Sequence, residues 1–261
     1  MTDTILSKKL AKGGNENTFL LNVPRQIANS TDKIAERIVA EYGAIFVARG
    51  GANPPDRVIF PDESDVARFQ SKLKTAKRNV GGIDIELQEP AMSALEAAAE
   101  SADAVGLTIT PRGTDSAKRN YRQTEELWES RVEPALVHWV NENRLNHGEA
   151  DSLRLLSAFE QVPIVFDYED QGIFFAKSLD KPIIYSVAPP GTSQHLSMLA
   201  LDVAEFNDES VRRILAEHGW FQTVISDLPH FTFLGVSEEE LPDLGLKKVE
   251  DGGRAFWIPD I

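Results

Sequence analysis

The stretch from Ala188 to Val203, Ala-Pro-Pro-Gly-Thr-Ser-Gln-His-Leu-Ser-Met-Leu-Ala-Leu-Asp-Val, restricts the fold more than any other part of the chain. Pro189-Pro190-Gly191 excludes a helix interior or a central strand, so the backbone has to turn there. From Leu199 to Val203 the pattern alternates. As a strand it places Leu199, Leu201 and Val203 on one face and Ala200, Asp202 and Ala204 on the other. His195 comes seven residues before Asp202, so an imidazole and a carboxylate converge on a face flanked by small side chains. Such a pair suits zinc, which takes histidine nitrogen and carboxylate oxygen at about 2.0–2.2 Å.

A second stretch, His218 to Gly235, supplies a third ligand candidate, His230, with Asp227 three residues before it. Together, Ser193-Gln194-His195 through Asp202 and Asp227-Leu228-Pro229-His230 resemble the zinc D-alanyl-D-alanine carboxypeptidase and dipeptidase family of bacterial cell-wall metallopeptidases. That family carries Ser-x-His-x6-Asp followed by Glu/Asp-x-x-His, on a fold shared with the zinc-binding signalling domain of hedgehog proteins. Members usually have glycine three residues after the first ligand, where this chain has Met198, and many have Glu-x-Trp-His at the second motif. The two motifs span roughly residues 186–235, with a weaker likeness back to about residue 90.

The resemblance implies that His195, Asp202 and His230 hold Zn2+, leaving a fourth position for water, as catalytic rather than structural zinc sites do. It implies that Asp227 is the general base and that Ser193 hydrogen-bonds substrate beside the metal. The family also ends a strand with a Tyr-Arg-Ser triplet whose arginine faces the substrate. Arg112 is its counterpart here, as a carboxylate or oxyanion partner, with Arg119 and Arg122 as competitors in a longer loop. The implied activity is hydrolysis of peptidoglycan stem peptides by a D-alanyl-D-alanine carboxypeptidase. Cleavage of free D-Ala-D-Ala is the sister activity, and a non-catalytic zinc domain that binds wall peptide or a protein partner is the alternative from another class.

Charge and composition exclude other classes. With 41 acidic against 27 basic residues and a net charge of −14, the chain lacks the basic surface that nucleic acid requires. No apolar run approaches the about 20 residues of a membrane span. The chain has no cysteine, which removes disulfides and thiolate zinc sites from consideration. The first residues do not read as a secretory signal. A wall substrate predicts a periplasmic or extracellular protein whose signal has been removed; otherwise the expectation is cytoplasmic. Gly50-Gly51 lacks the Lys-Ser/Thr of a phosphate loop, and no Gly-x-Ser-x-Gly occurs.

Along the chain, residues 1–30 read as a polar arm laid over the surface, and 31–261 as a single α+β domain. Its expected architecture is a small antiparallel sheet that carries the zinc site and packs against helices, with an N-terminal helical and strand extension. Helices are predicted from a Ser30 or Thr31 cap to Tyr42, from Asp62, over 91–105, over 124–144 with a kink at Pro134, after an Asp151 cap, and over 208–218. Strands are predicted over 44–48, 57–60, 83–87, 107–110 and 183–187, with a hairpin of 164–168 and 172–176. His230, Thr232 and Leu234 share one face of a last strand, with Phe231 and Phe233 packed behind it. The tail from Ser237 reads as a closing cover.

Overall fold

Short polar side chains start most of the helices. In the computed structural model, which describes residues 17–261, Asn17 caps α1 (Thr18–Asn22) and α2 (Arg25–Ala28) follows at once. Asp32, not Ser30 or Thr31, caps α3 (Lys33–Tyr42), and Asp62 caps α4 (Glu63–Gln70). A hairpin of β1 (Thr75–Val80) and β2 (Ile83–Gln88) turns on Gly81-Gly82, whose φ values of 55° and 86° suit glycine and match the twist of a two-residue turn. Next come α5 (Glu89–Asp103), α6 (Tyr121–Asn141), α7 (His147–Arg154) and α8 (Ala158–Glu169). The last three all start with capping boxes, on Asn120, Asn146 and Ser157.

The remaining elements build the sheet that matters most. They are β3 (Ala200–Asp202), α9 (Glu209–Glu217) capped by Asp208, β4 (Trp220–Phe221) and β5 (His230–Phe233). These strands form one antiparallel sheet in the order β3-β5-β4, and β6 (Leu246–Asp251) pairs with β7 (Arg254–Pro259) in a closing hairpin. The architecture is α+β, as the sequence predicts. One apolar core joins the central sheet to α5 and α9, and a second lies among α3, α6 and α8. Among the described residues, no helix is long and apolar enough to cross a membrane.

Several predicted strands are something else. Residues 43–47 continue α3 as a 3-10 turn, because Gly43 stays right-handed at φ −74° and ψ −14° and does not end the helix. The first arm of the predicted hairpin, 164–168, lies inside α8, in which Val162, Val165, Phe166 and Glu169 are buried at helical spacing, and the second arm, 172–176, is irregular. Only a 3-10 turn, Ile183–Tyr185, forms within 183–187, and 57–60 is irregular. Residues 107–110 run beside β3 without becoming a strand. The Thr110 N–H donates to the Glu205 carboxylate, and Pro111, which has no N–H to give, makes a single bridge to Val203. Pro134 lies inside an unbroken α6, and Asp151 lies inside α7, which starts at His147.

Of the expected surface arm, residues 1–16 lie outside the described residues. From Asn17 onward it is part of the core: Phe19 is fully buried and Ile27 is 5% exposed.

Candidate metal centre

The register of the central sheet sets two of the three ligand candidates side by side. Leu201 pairs with Phe231 and Asp202 with His230. Because side chains alternate, Leu201, Phe231 and Phe233 enter the core, while Asp202, His230 and Thr232 share the other face.

His195 arrives from the 3-10 turn Gln194–Ser197, whose carbonyls are all engaged. Those of Gln194 and Leu196 accept from Ser197 Oγ (2.7 Å) and Gln70 Nε2 (3.0 Å), and that of Ser197 accepts from Gln88 Nε2 (2.8 Å). The His195 carbonyl accepts from the N–H groups of Met198 (3.2 Å) and Arg119 (3.3 Å). Met198 then turns the chain into β3 in the left-handed region, at φ 57° and ψ 34°, with its side chain buried. Met198 thus holds a conformation that glycine takes without strain, at a cost of about 1–2 kcal/mol.

The three side chains meet. His195 Nε2 lies 3.4 Å and His230 Nδ1 3.3 Å from the same oxygen, Oδ1 of Asp202, and the two imidazole rings are 4.9 Å apart edge to face. These separations are long for charge-assisted hydrogen bonds, at about 2.7–2.9 Å. They match the edge of a tetrahedron whose centre is about 2.0–2.1 Å from each ligand, which is about 3.3–3.4 Å. The ligand atoms of His195, Asp202 and His230 all lie within 4.8 Å of one another, and this group can hold a metal ion.

Gln194 orients His230. Gln194 Nε2 donates to the Tyr42 carbonyl (2.8 Å), which turns Gln194 Oε1 toward His230 Nε2 (2.9 Å) and the Thr232 hydroxyl. The hydrogen-bond network therefore assigns the His230 proton to Nε2 and leaves Nδ1 bare. The Nδ1 lone pair then faces a carboxylate oxygen. Two acceptors 3.3 Å apart can share a cation, whether a metal ion or a proton, and a ligating histidine bound outward to a carbonyl is the usual pattern around a metal. Thr223 supports the network through its hydroxyl contact with Thr232 (2.6 Å). His195 Nδ1 is buried without a partner.

Electrostatics favour metal-ready protonation states. Burial pulls the His195 pKa down to about 4, against the pull of Asp202 toward the charged form, so the imidazole is neutral at pH 7. Burial opposes the Asp202 charge, but His195 and His230 more than reverse that and lower its pKa. The other Asp202 oxygen, Oδ2, accepts from Arg119 Nη2 at 3.0 Å, leaving one oxygen for a metal.

The other predicted site residues separate into two groups. His195, His230, Asp227, Ser193 and Arg119 all line a cleft of about 210 Å³. Asp227 stands exposed at its mouth, with protein on its inner side, and that burial raises its pKa while His230 opposes and Asp202 adds to the shift. Arg112 does not line the cleft. Its side chain is exposed and its guanidinium lies 5.8 Å from the Phe206 ring, although its N–H donates to the Asp202 carbonyl at 3.0 Å. Arg122 pairs with Glu126 on the exposed side of α6.

A wider groove of about 640 Å³ between α9 and the β6–β7 hairpin contains none of the ligand candidates. Gln194 and Thr232 were not singled out as functional in the sequence reading. The one signal for Thr232 is its place two residues after His230 on the same strand face. No family model matches the chain, and no curated protein matches it in sequence.

Proposed function

We propose that this chain is a zinc-dependent peptidase acting on short wall peptides that end in D-Ala-D-Ala, with removal of the terminal D-alanine as its principal reaction. The observation that carries the reading is the convergence of His195, Asp202 and His230, with both histidines lining one cleft together with a free carboxylate, Asp227. Two imidazoles and one carboxylate with a position to spare are a catalytic donor set, and the chain has no thiolate that would make a closed site. When bound, zinc supplies Lewis acidity that polarises the scissile carbonyl and acidifies water.

The chain's own residues do the rest. Asp227 makes no side-chain hydrogen bond to the described residues, and its raised pKa suits a group that takes a proton from attacking water and returns it to the leaving amine. Arg119 replaces Arg112 in the role expected of the family's arginine. It is anchored through Asp202 and lines the cleft, where its guanidinium can meet a developing oxyanion. Ser193 lines the same wall as a hydrogen-bonding group for substrate. The cleft is smaller than the about 300 Å³ at which ordinary ligand pockets begin, and its apolar lining of Leu127, Val187, Ala188 and Val224 suits small side chains such as alanine.

Digestion of purified muropeptides and of free D-Ala-D-Ala with the zinc-loaded protein, read by mass spectrometry, tests the proposal. Release of terminal D-alanine from muropeptides, lost on chelation and in His195→Ala, is the expected result. Cleavage of the free dipeptide alone would shift the assignment to the sister activity. A zinc-loaded protein that leaves every wall peptide intact would refute the enzymatic reading.

A further inference from the structure

We infer that Arg131, on the inward side of α6, is a docking site for a free α-carboxylate and makes this a cleft for peptide C-termini. The inference rests on the peptidase reading of the cleft and specifies its substrate class. Two guanidinium groups line the space, and their environments differ. Arg119 is committed to Asp202. Arg131 is partly buried and held by hydroxyls alone: its Nε donates to Ser186 Oγ at 3.0 Å and its Nη1 to Ser130 Oγ at 2.8 Å. It has no carboxylate partner among the described residues.

A guanidinium held in place by two hydroxyls, partly shielded from water and without a carboxylate partner among the described residues, is open to an incoming anion. Its planar fork matches a carboxylate with two parallel N–H donors. Ser186 adds rigidity, since its hydroxyl also accepts from the Lys177 N–H at 3.3 Å. The apolar residues beside it, Val187 and Ala188, lead directly from Ser186 toward the turn that carries Ser193 and His195. A peptide whose last carboxylate sits on Arg131 would lay a short, small C-terminal residue along that wall, toward the ligand histidines. The metal-ligand motifs do not contain Arg131, and it lies well after the loop in which the sequence placed the substrate arginine.

The test measures binding without turnover. N-acetyl-D-alanyl-D-alanine and its C-terminal amide are titrated into metal-free protein, followed by NMR shift changes in cleft residues. Wild type should prefer the free acid by about 10- to 100-fold, the range for one charge-assisted bond. Arg131→Gln should bring that ratio close to one, while Arg131→Lys, which keeps the charge and loses the fork, should retain part of it. Equal binding of acid and amide by wild type overturns the inference even if the glutamine variant fails to fold. So does an undiminished preference in a folded Arg131→Gln. If the carboxylate preference is present but zinc-loaded protein cleaves no wall peptide, the peptidase reading fails and the Arg131 site stands.

Discussion

Replacing Gln194 with leucine removes the acceptor that orients His230 while keeping roughly the same volume. In the native protein that amide accepts from His230 Nε2 at 2.9 Å and donates to the Tyr42 carbonyl at 2.8 Å. Thr232 also loses a partner but can turn to Thr223, so two buried groups are left unpaired. At about 1–3 kcal/mol each, Gln194→Leu should destabilise the metal-free protein by about 2–6 kcal/mol. Loss of the outer hydrogen bond to a ligating histidine should also weaken zinc binding by about 10- to 100-fold, or about 1.4–2.7 kcal/mol.

Gln194→Glu separates the two effects. It keeps an acceptor for His230 Nε2–H, so zinc affinity should equal or exceed wild type. It also sets a carboxylate oxygen against the Tyr42 carbonyl, so stability should still fall. Competition against a chromophoric chelator gives the affinities, chemical denaturation of metal-free protein gives the stabilities, and nitrogen NMR of the His230 ring reads the tautomer. A folded Gln194→Leu that binds zinc within twofold of wild type would refute the orienting role.

Two further outcomes concern protonation. Asp227→Asn should retain zinc and lose about 10²- to 10⁴-fold in turnover. Because burial raises the native Asp227 pKa, the base is protonated over a wider acid range, and kcat/KM should begin to fall at a higher pH than an ordinary aspartate near 3.8 would cause; a profile flat down to that value contradicts the assignment. For the metal-free protein, His195 is depressed from 6.5 to about 4 in the folded state, so the unfolded chain takes up the proton first as pH drops. Stability from this group is therefore present above pH 6.5 and is lost on acidification toward pH 4, by about 3 kcal/mol. Urea melts at the two ends of that window should show a smaller acid loss in His195→Gln than in wild type, and equal losses would count against a buried neutral imidazole.

How much of this was legible in the sequence depended on the range of the interaction. Spacing and strand alternation brought out His195 and Asp202, the resemblance of two motifs to a known family added His230, and the structure brings the three together. Caps that act within one turn are readable for the same reason: Asp62 starts its helix, and of the two candidates Asn207 and Asp208 it is Asp208 that caps α9. The apolar runs 44–48, 164–168 and 183–187 read as strands but fold as helical or 3-10 turns, because a short buried run has no periodicity to separate strand from helix. For 164–168 the deciding signal was the Ser157–Glu160 capping box upstream. Choosing Arg119 over Arg112 needed the path of residues 111–120 against β3. The role of Gln194 depends on a carbonyl 152 residues away, which no local pattern reports.

The same strand that positions the metal ligands also fills the core, and this connects the site to the fold. Sliding β5 by one residue against β3 would exchange His230 for Phe231 on the metal face and bring Phe231 and Phe233 out of the interior, where they are 1% and 4% exposed. At about 1.5–3 kcal/mol for each buried aromatic side chain, the slip costs about 3–6 kcal/mol. The Asp202–His230 pairing is therefore enforced by apolar packing and does not need the ion to assemble it, unlike small zinc domains that fold only with metal. His195 has no such partner across a sheet. Its position depends on the strained turn at Met198 and on Gln70, Gln88 and Arg119, which hold the carbonyls around it. Arg119 does both jobs, since its N–H holds the His195 carbonyl and its guanidinium holds Asp202. A change in the loop that carries Arg119 would thus disturb the position of His195 and the carboxylate orientation of Asp202 at once, while the backbone pairing of Asp202 with His230 stays fixed by the core.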